Sequence, residues 1–149
     1  MMSLKYLFVF GVLAVSLRSA RAISDEDRNK IHTAVLPHVA ECSANFGVTE
    51  DDIKAAKEAG TLGTFNPCLM GCVLKKIQVI DDKGLFDADK AVELSNKYFS
   101  DEADKKKAEE IITTCKAVND KEVGDGEKGC ERAGLLFQCF LPFKDAFIN

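Results

Sequence analysis

The sequence has no tryptophan and, in 149 residues, only two histidines, two tyrosines and three prolines. His32 and His38 stand six apart, away from any candidate nucleophile, so solvated or capping roles suit them better than a catalytic dyad. Motifs that carry catalysis or phosphate binding are missing as well: there is no G-x-S-x-G, no H-E-x-x-H and no glycine-rich phosphate loop. The adjacent His-Asp of secreted phospholipases is absent, and the acidic stretch 120–127 lacks the ligand spacing of a calcium loop. These absences lead us to expect no enzyme, no cofactor and no bound metal.

Long apolar runs are scarce too. The one candidate, residues 6–15, comes after Lys5 and leads to Ala20-Arg21-Ala22, a small-x-small cleavage pattern. It is too short to cross a bilayer, which takes roughly 20 apolar residues, so residues 1–22 read as a secretory signal peptide and no membrane insertion is expected. Residues 23–149 have the size of a single domain and contain no linker or repeat. That part carries 17 Lys and Arg against 24 Asp and Glu, a net charge of −7 that disfavours nucleic acid and anionic lipid surfaces.

Apolar residues recur at intervals of three and four, and no stretch alternates like a strand, so the expected fold class is all-α. Six helical segments can be drawn. The first starts at the cap Ser24, with a stripe through Ile31, Val35, Val39, Cys42 and Phe46, and Pro37 should kink or split it. The second runs from Thr49, with Asp52 at the capping-box position, to Gly60. The third opens at Asn66-Pro67 and spans residues 68–80, apolar over more than one face, as a central helix should be. After a turn at Asp81-Asp82-Lys83-Gly84, Asp87 caps the fourth, and the fifth begins near Asp101. A charged loop over residues 119–129 precedes the sixth helix, about residues 128–140, and an end with Phe143, Phe147 and Ile148 comes after Pro142.

The cysteines are what the chain does have: Cys42, Cys68, Cys72, Cys115, Cys130 and Cys139, an even set in a chain routed to an oxidising compartment. They read as three disulfides. Cys68 and Cys72 lie four apart on one helix, so their side chains run parallel and should bond to two different helices. Each closed loop is worth about 3–4 kcal/mol in the chain-entropy account, enough to matter for a fold with an unfilled centre. Zinc is the rival reading, but C-x3-C without a second close pair fits it poorly.

The spacing Cys42-x25-Cys68-x3-Cys72-x42-Cys115-x14-Cys130-x8-Cys139 resembles that of the classical six-cysteine insect odorant-binding proteins, the pheromone and general odorant-binding family. The resemblance covers the whole of residues 23–149 and includes the 81–84 turn and the Cys130-Glu131-Arg132-Ala133 opening of the last helix. It implies a compact six-helix fold around an apolar cavity, with bonds Cys42–Cys72, Cys68–Cys130 and Cys115–Cys139. It further implies an extracellular carrier of small hydrophobic ligands such as odorants or pheromones, in sensillar lymph or another body fluid. The partners implied are that ligand and an odorant receptor, with the carrier a monomer or weak homodimer. A non-olfactory secreted role on the same scaffold, sequestering ligands or meeting a protein partner, is the alternative. Phe140 stands where some members carry a tryptophan after the last cysteine, which keeps an aromatic wall without indole-specific contacts.

The helical stripes then supply candidate ligand contacts: Val73, Leu74 and Ile77 on the third segment and Ala88, Ala91, Val92 and Ser95 on the fourth. The fifth adds Ala108, Ile111, Ile112 and Thr113 and the sixth Phe137 and Phe140, and the resemblance implies that the end of the chain folds back with Phe143, Phe147 and Ile148 as a wall or lid. Periodicity alone does not tell a cavity wall from a filled core.

Overall fold

The computed structural model describes residues 23–146; the expected signal peptide, Phe147 and Ile148 lie outside the described residues. The elements are α1 (Asp25–Phe46), α2 (Glu50–Glu58), a single turn α3 (Leu62–Phe65), α4 (Pro67–Lys76), α5 (Ala88–Tyr98), α6 (Glu102–Cys115) and α7 (Cys130–Phe140). Short 3-10 segments lie at Lys116–Asp120, Gly126–Lys128 and Leu141–Ala146. The fold class is all-α, with six helices longer than one turn among the described residues.

Local chemistry sets most of the boundaries. Ser24 accepts a hydrogen bond from the Asp27 N–H at 3.1 Å to start α1, and Thr49 and Asp52 cap each other's backbone at the start of α2. Asn66, Asp87 and Asp101 cap α4, α5 and α6 in the same manner. Pro37 does not split α1, which is continuous from Asp25 to Phe46. Both Pro37 and Thr33, whose carbonyl loses its i+4 donor, lie on the exposed side, where water can replace the lost bond.

Three boundaries differ from the sequence expectation. Helix α4 stops at Lys76 instead of reaching Ile80, because Gln78 takes a left-handed conformation (φ 64°). The Val79 N–H then reaches back to the Leu74 carbonyl and the Gln78 N–H to that of Lys75, a Schellman ending built without the usual glycine. The freed residues form an isolated antiparallel bridge, Ile80 to Phe86, around the 81–84 turn. Helix α7 begins at Cys130, two residues late, after Gly129 at φ 76°, and Asp125 accepts from the N–H groups of Cys130 and Glu131. The turn α3 carried no capping signal and was not anticipated.

Helix α4 is the hub. Disulfides join it to α1 (Cys42–Cys72) and to α7 (Cys68–Cys130), and a third joins α6 to α7 (Cys115–Cys139). Its approach to α7 is close enough to demand glycine: a Cβ on Gly71 would stand 2.8 Å from the Gly129 carbonyl oxygen. Arg132, 5% exposed, fills the remaining junction by donating to the carbonyls of Gly84, Val118 and Lys121. The segments meeting there are thus held by one guanidinium.

Candidate ligand-binding cavity

Helices α1, α4, α5, α6 and α7 converge without filling the space between them, leaving a cavity of about 500 Å³. That is within the range of small-molecule sites, roughly 300–1,000 Å³. Its apolar lining comes from every side: Ile31 and Val35 from α1, Ala91 and Leu94 from α5, Ile111 and Ile112 from α6, Phe140 from α7. The small side chains of Ala34, Ala91 and Ala108 keep the space open.

Of the residues singled out from the sequence, the structure brings Ile77, Ala91, Ser95, Ala108, Ile111, Ile112 and Phe140 together on the cavity wall. Leu74, Ala88, Val92 and Phe143 pack against the core outside that wall, and Val73 and Phe137 are half-buried away from it. Thr113 points to the exposed side of α6, since it lies 100° beyond Ile112 around the helix. Ile111 and Ile112 share the buried face of α6, and Thr113 lies off it.

Two groups of wall residues were not foreseen. On α1, Ile31 and Val35 belong to a stripe noted as apolar but not assigned to the site, and Ala34 and His38 lie off that stripe. The others, Val79, Phe86 and Phe99, lie in loops; of these Phe99 alone falls on an apolar stripe, that of the fourth segment, without being assigned to the site. Phe86 is fixed by Asn119, whose side-chain amide accepts from the Phe86 N–H at 2.8 Å and donates to its carbonyl at 2.9 Å. Phe99 is fixed through its neighbour Ser100, which binds the buried carboxylate of Asp27.

Polar residues on the wall are few: His38, Lys76, Gln78, Lys90, Ser95 and Tyr98. Ser95 spends its hydroxyl on the Val92 carbonyl at 2.9 Å. Lys90 pairs with Glu93, and Lys76 pairs with Glu41 at 2.5 Å across α1 and α4, beside the Cys42–Cys72 disulfide. The Lys76 ammonium, by that hydrogen bond first and its charge second, holds Glu41 below the usual carboxylate range. Among the described residues there is no cluster of His, Cys, Asp and Glu placed to hold a metal ion.

An apolar hollow walled by five helices, four of them tied by disulfides, can take up a small hydrophobic molecule, and the fold has known counterparts. The PBP/GOBP family profile matches residues 24–142. The chain belongs to the PBP/GOBP family. It is similar to general odorant-binding protein 19d of Drosophila melanogaster, 29% identical over 138 residues, with 91% of this chain and 86% of that protein covered. General odorant-binding protein 28a of the same species is 28% identical over 131 residues, covering 87% and 88%. Among solved structures the chain is similar to the odorant-binding protein dmelOBP28a from Drosophila melanogaster. That match has a TM-score of 0.55 and 27% identity, covering 78% of this chain and 92% of that one.

Proposed function

We propose that this PBP/GOBP-family chain is a secreted carrier that takes a small, mainly apolar molecule into the central cavity and moves it through aqueous fluid toward a receptor. The observation that carries the reading is the cavity itself: about 500 Å³ of unfilled, mostly hydrocarbon-lined space inside a core braced by three disulfides. Such space would collapse or cost stability in a domain that had no use for it, since empty volume forfeits packing contacts. Among the lining residues, Tyr98, His38 and Lys90 can serve one hydroxyl, carbonyl or ester oxygen of a ligand whose remaining surface is apolar.

Among the described residues no helix is long and apolar enough to cross a membrane. The signal peptide read in residues 1–22 and the disulfides support extracellular work. The ligand binds by shape and desolvation, and no chemistry on it is called for.

The test is binding of the fluorescent probe N-phenyl-1-naphthylamine, with displacement by a panel of volatile alcohols, esters and longer aliphatic molecules. Ala91→Phe, which puts a ring into the cavity, should weaken probe binding by about tenfold or more while the far-ultraviolet circular dichroism stays helical. Unchanged probe affinity in a folded Ala91→Phe protein sinks the proposal.

A further inference from the structure

The face of α1 turned away from the central cavity meets a second space. Helix α1, the linker at Val48 and helix α2 bound a groove of about 1010 Å³. Its floor is hydrocarbon, and it includes Leu36, which at 50% exposure is the most open large apolar side chain among the described residues. Ile31, Val35 and Phe99 line both spaces, so the groove and the cavity adjoin along these three side chains.

Its charge is the reverse of the rest of the chain. Residues 23–149 are strongly acidic, yet the charged residues lining the groove are Arg28, Lys54 and Lys57 against Glu50 alone. Arg28 reaches Asp25 at 3.8 Å, whereas Lys54 and Lys57, both exposed and one turn apart on α2, form no ion pair among the described residues. A further polar group belongs to the same wall. Ser43, 8% exposed, lines the groove with a buried hydroxyl that has no hydrogen-bond partner among the described residues. A buried hydroxyl left so is costly, and its position marks where an oxygen-bearing guest or its water would complete the site.

We propose that this groove is a second ligand site, separate from the central cavity, for a fatty-acid anion. The acyl chain lies along the apolar stripe of α1, and Lys54 and Lys57 draw the carboxylate to the α2 rim. The hydrocarbon floor requires an apolar tail. The unpaired ammonium groups in an acidic protein select the anionic head over a neutral one of equal length.

The experiment uses the chain from residue 23 to 149 with its disulfides intact, titrated separately with decanoate and 1-decanol and tracked by backbone amide nuclear magnetic resonance. Decanoate is expected to shift amides at Ser43, Ile53 and Lys57, and Lys54→Glu/Lys57→Glu should weaken that response by roughly tenfold. The same double variant should bind 1-decanol at Ala91 and Ile111 as the parent does, which separates this site from the central one. Shifts confined to the central cavity overturn the proposal, as does a groove response of equal midpoint in the double variant. A groove covered by a second copy of the chain, seen as a dimer in sedimentation without lipid, overturns it too.

Discussion

The side-chain amide of Asn119 makes both backbone hydrogen bonds of Phe86, 33 residues away, as a neighbouring strand would. Phe86 is 3% exposed and its ring lines the cavity, so a residue in the 3-10 segment after α6 fixes one wall of the site. Asn119→Asp keeps the acceptor and loses the donor, setting a carboxylate oxygen against the Phe86 carbonyl. The expected cost is about 1–3 kcal/mol of stability, with weaker probe binding because the wall loosens. Denaturant unfolding measured in parallel with N-phenyl-1-naphthylamine titration checks both. A variant as stable as the parent would show that the clamp holds nothing.

Asp27 ties the start of α1 to the far end of α5. Its carboxylate, 1% exposed, accepts from the Ser100 N–H at 2.8 Å and from the Ser100 hydroxyl at 2.7 Å. The backbone bond first and the hydroxyl bond second hold it below the usual carboxylate range, outweighing the burial that opposes them. A depressed folded-state pKa stabilises the fold above the ordinary value near 4 and ceases to do so as pH falls through the folded one. Asp27→Asn should therefore melt lower than the parent at neutral pH, with the gap closing below about pH 4. Melting temperatures of both proteins across that range decide it, and a gap independent of pH would assign the effect to packing alone.

Gly71 tests the hub. In an exposed helix interior, alanine for glycine would add up to about 1 kcal/mol. Here the new methyl would meet the Gly129 carbonyl oxygen at 2.8 Å and its carbon at 3.1 Å, backbone atoms that cannot swing aside. The Cys68–Cys130 bond, which joins α4 to the first residue of α7, prevents the helices from separating. Gly71→Ala is expected to destabilise by about 1–3 kcal/mol, read from the denaturation midpoint. A stabilised variant would mean that α4 and α7 are not packed so closely.

The features legible in the sequence were those written in local chemistry or in fixed spacing. Ser24, Thr49, Asn66, Asp87 and Asp101 announced helix starts because capping uses residues a few positions apart. The cysteine spacing alone pointed to the family. What escaped was set by contacts between distant segments. Gln78 adopts a left-handed ending that nothing in its neighbourhood favours, so the stop of α4 at Lys76 could not be read. The cavity wall was half legible: Ile77, Ala91, Ser95, Ala108, Ile111, Ile112 and Phe140 come from helical faces, whereas Phe86 and Phe99 enter from loops held by Asn119 and by Asp27 through Ser100. Arg132 sat in a helix that reads as apolar, and only the meeting of three carbonyls explains a buried guanidinium there.

The end of the chain offers a separation of two roles. Phe143, in the 3-10 segment Leu141–Ala146, is half-buried against the same core as Phe140, which lines the cavity, but does not line it itself. Phe143→Ala removes a half-buried ring from the core, so it should cost about 1–3 kcal/mol, less than the 3–5 of a fully buried phenylalanine. It should also quicken probe release, because the core behind the cavity wall loosens. Deleting residues 147–149 leaves that contact in place and removes Phe147 and Ile148, the residues expected from sequence to close the cavity. A lid formed by them predicts faster probe release in stopped-flow with an unchanged melting temperature. Release at the parent rate in the deletion variant, beside faster release in Phe143→Ala, would place the control of ligand exit in the 3-10 segment and take it from the final three residues.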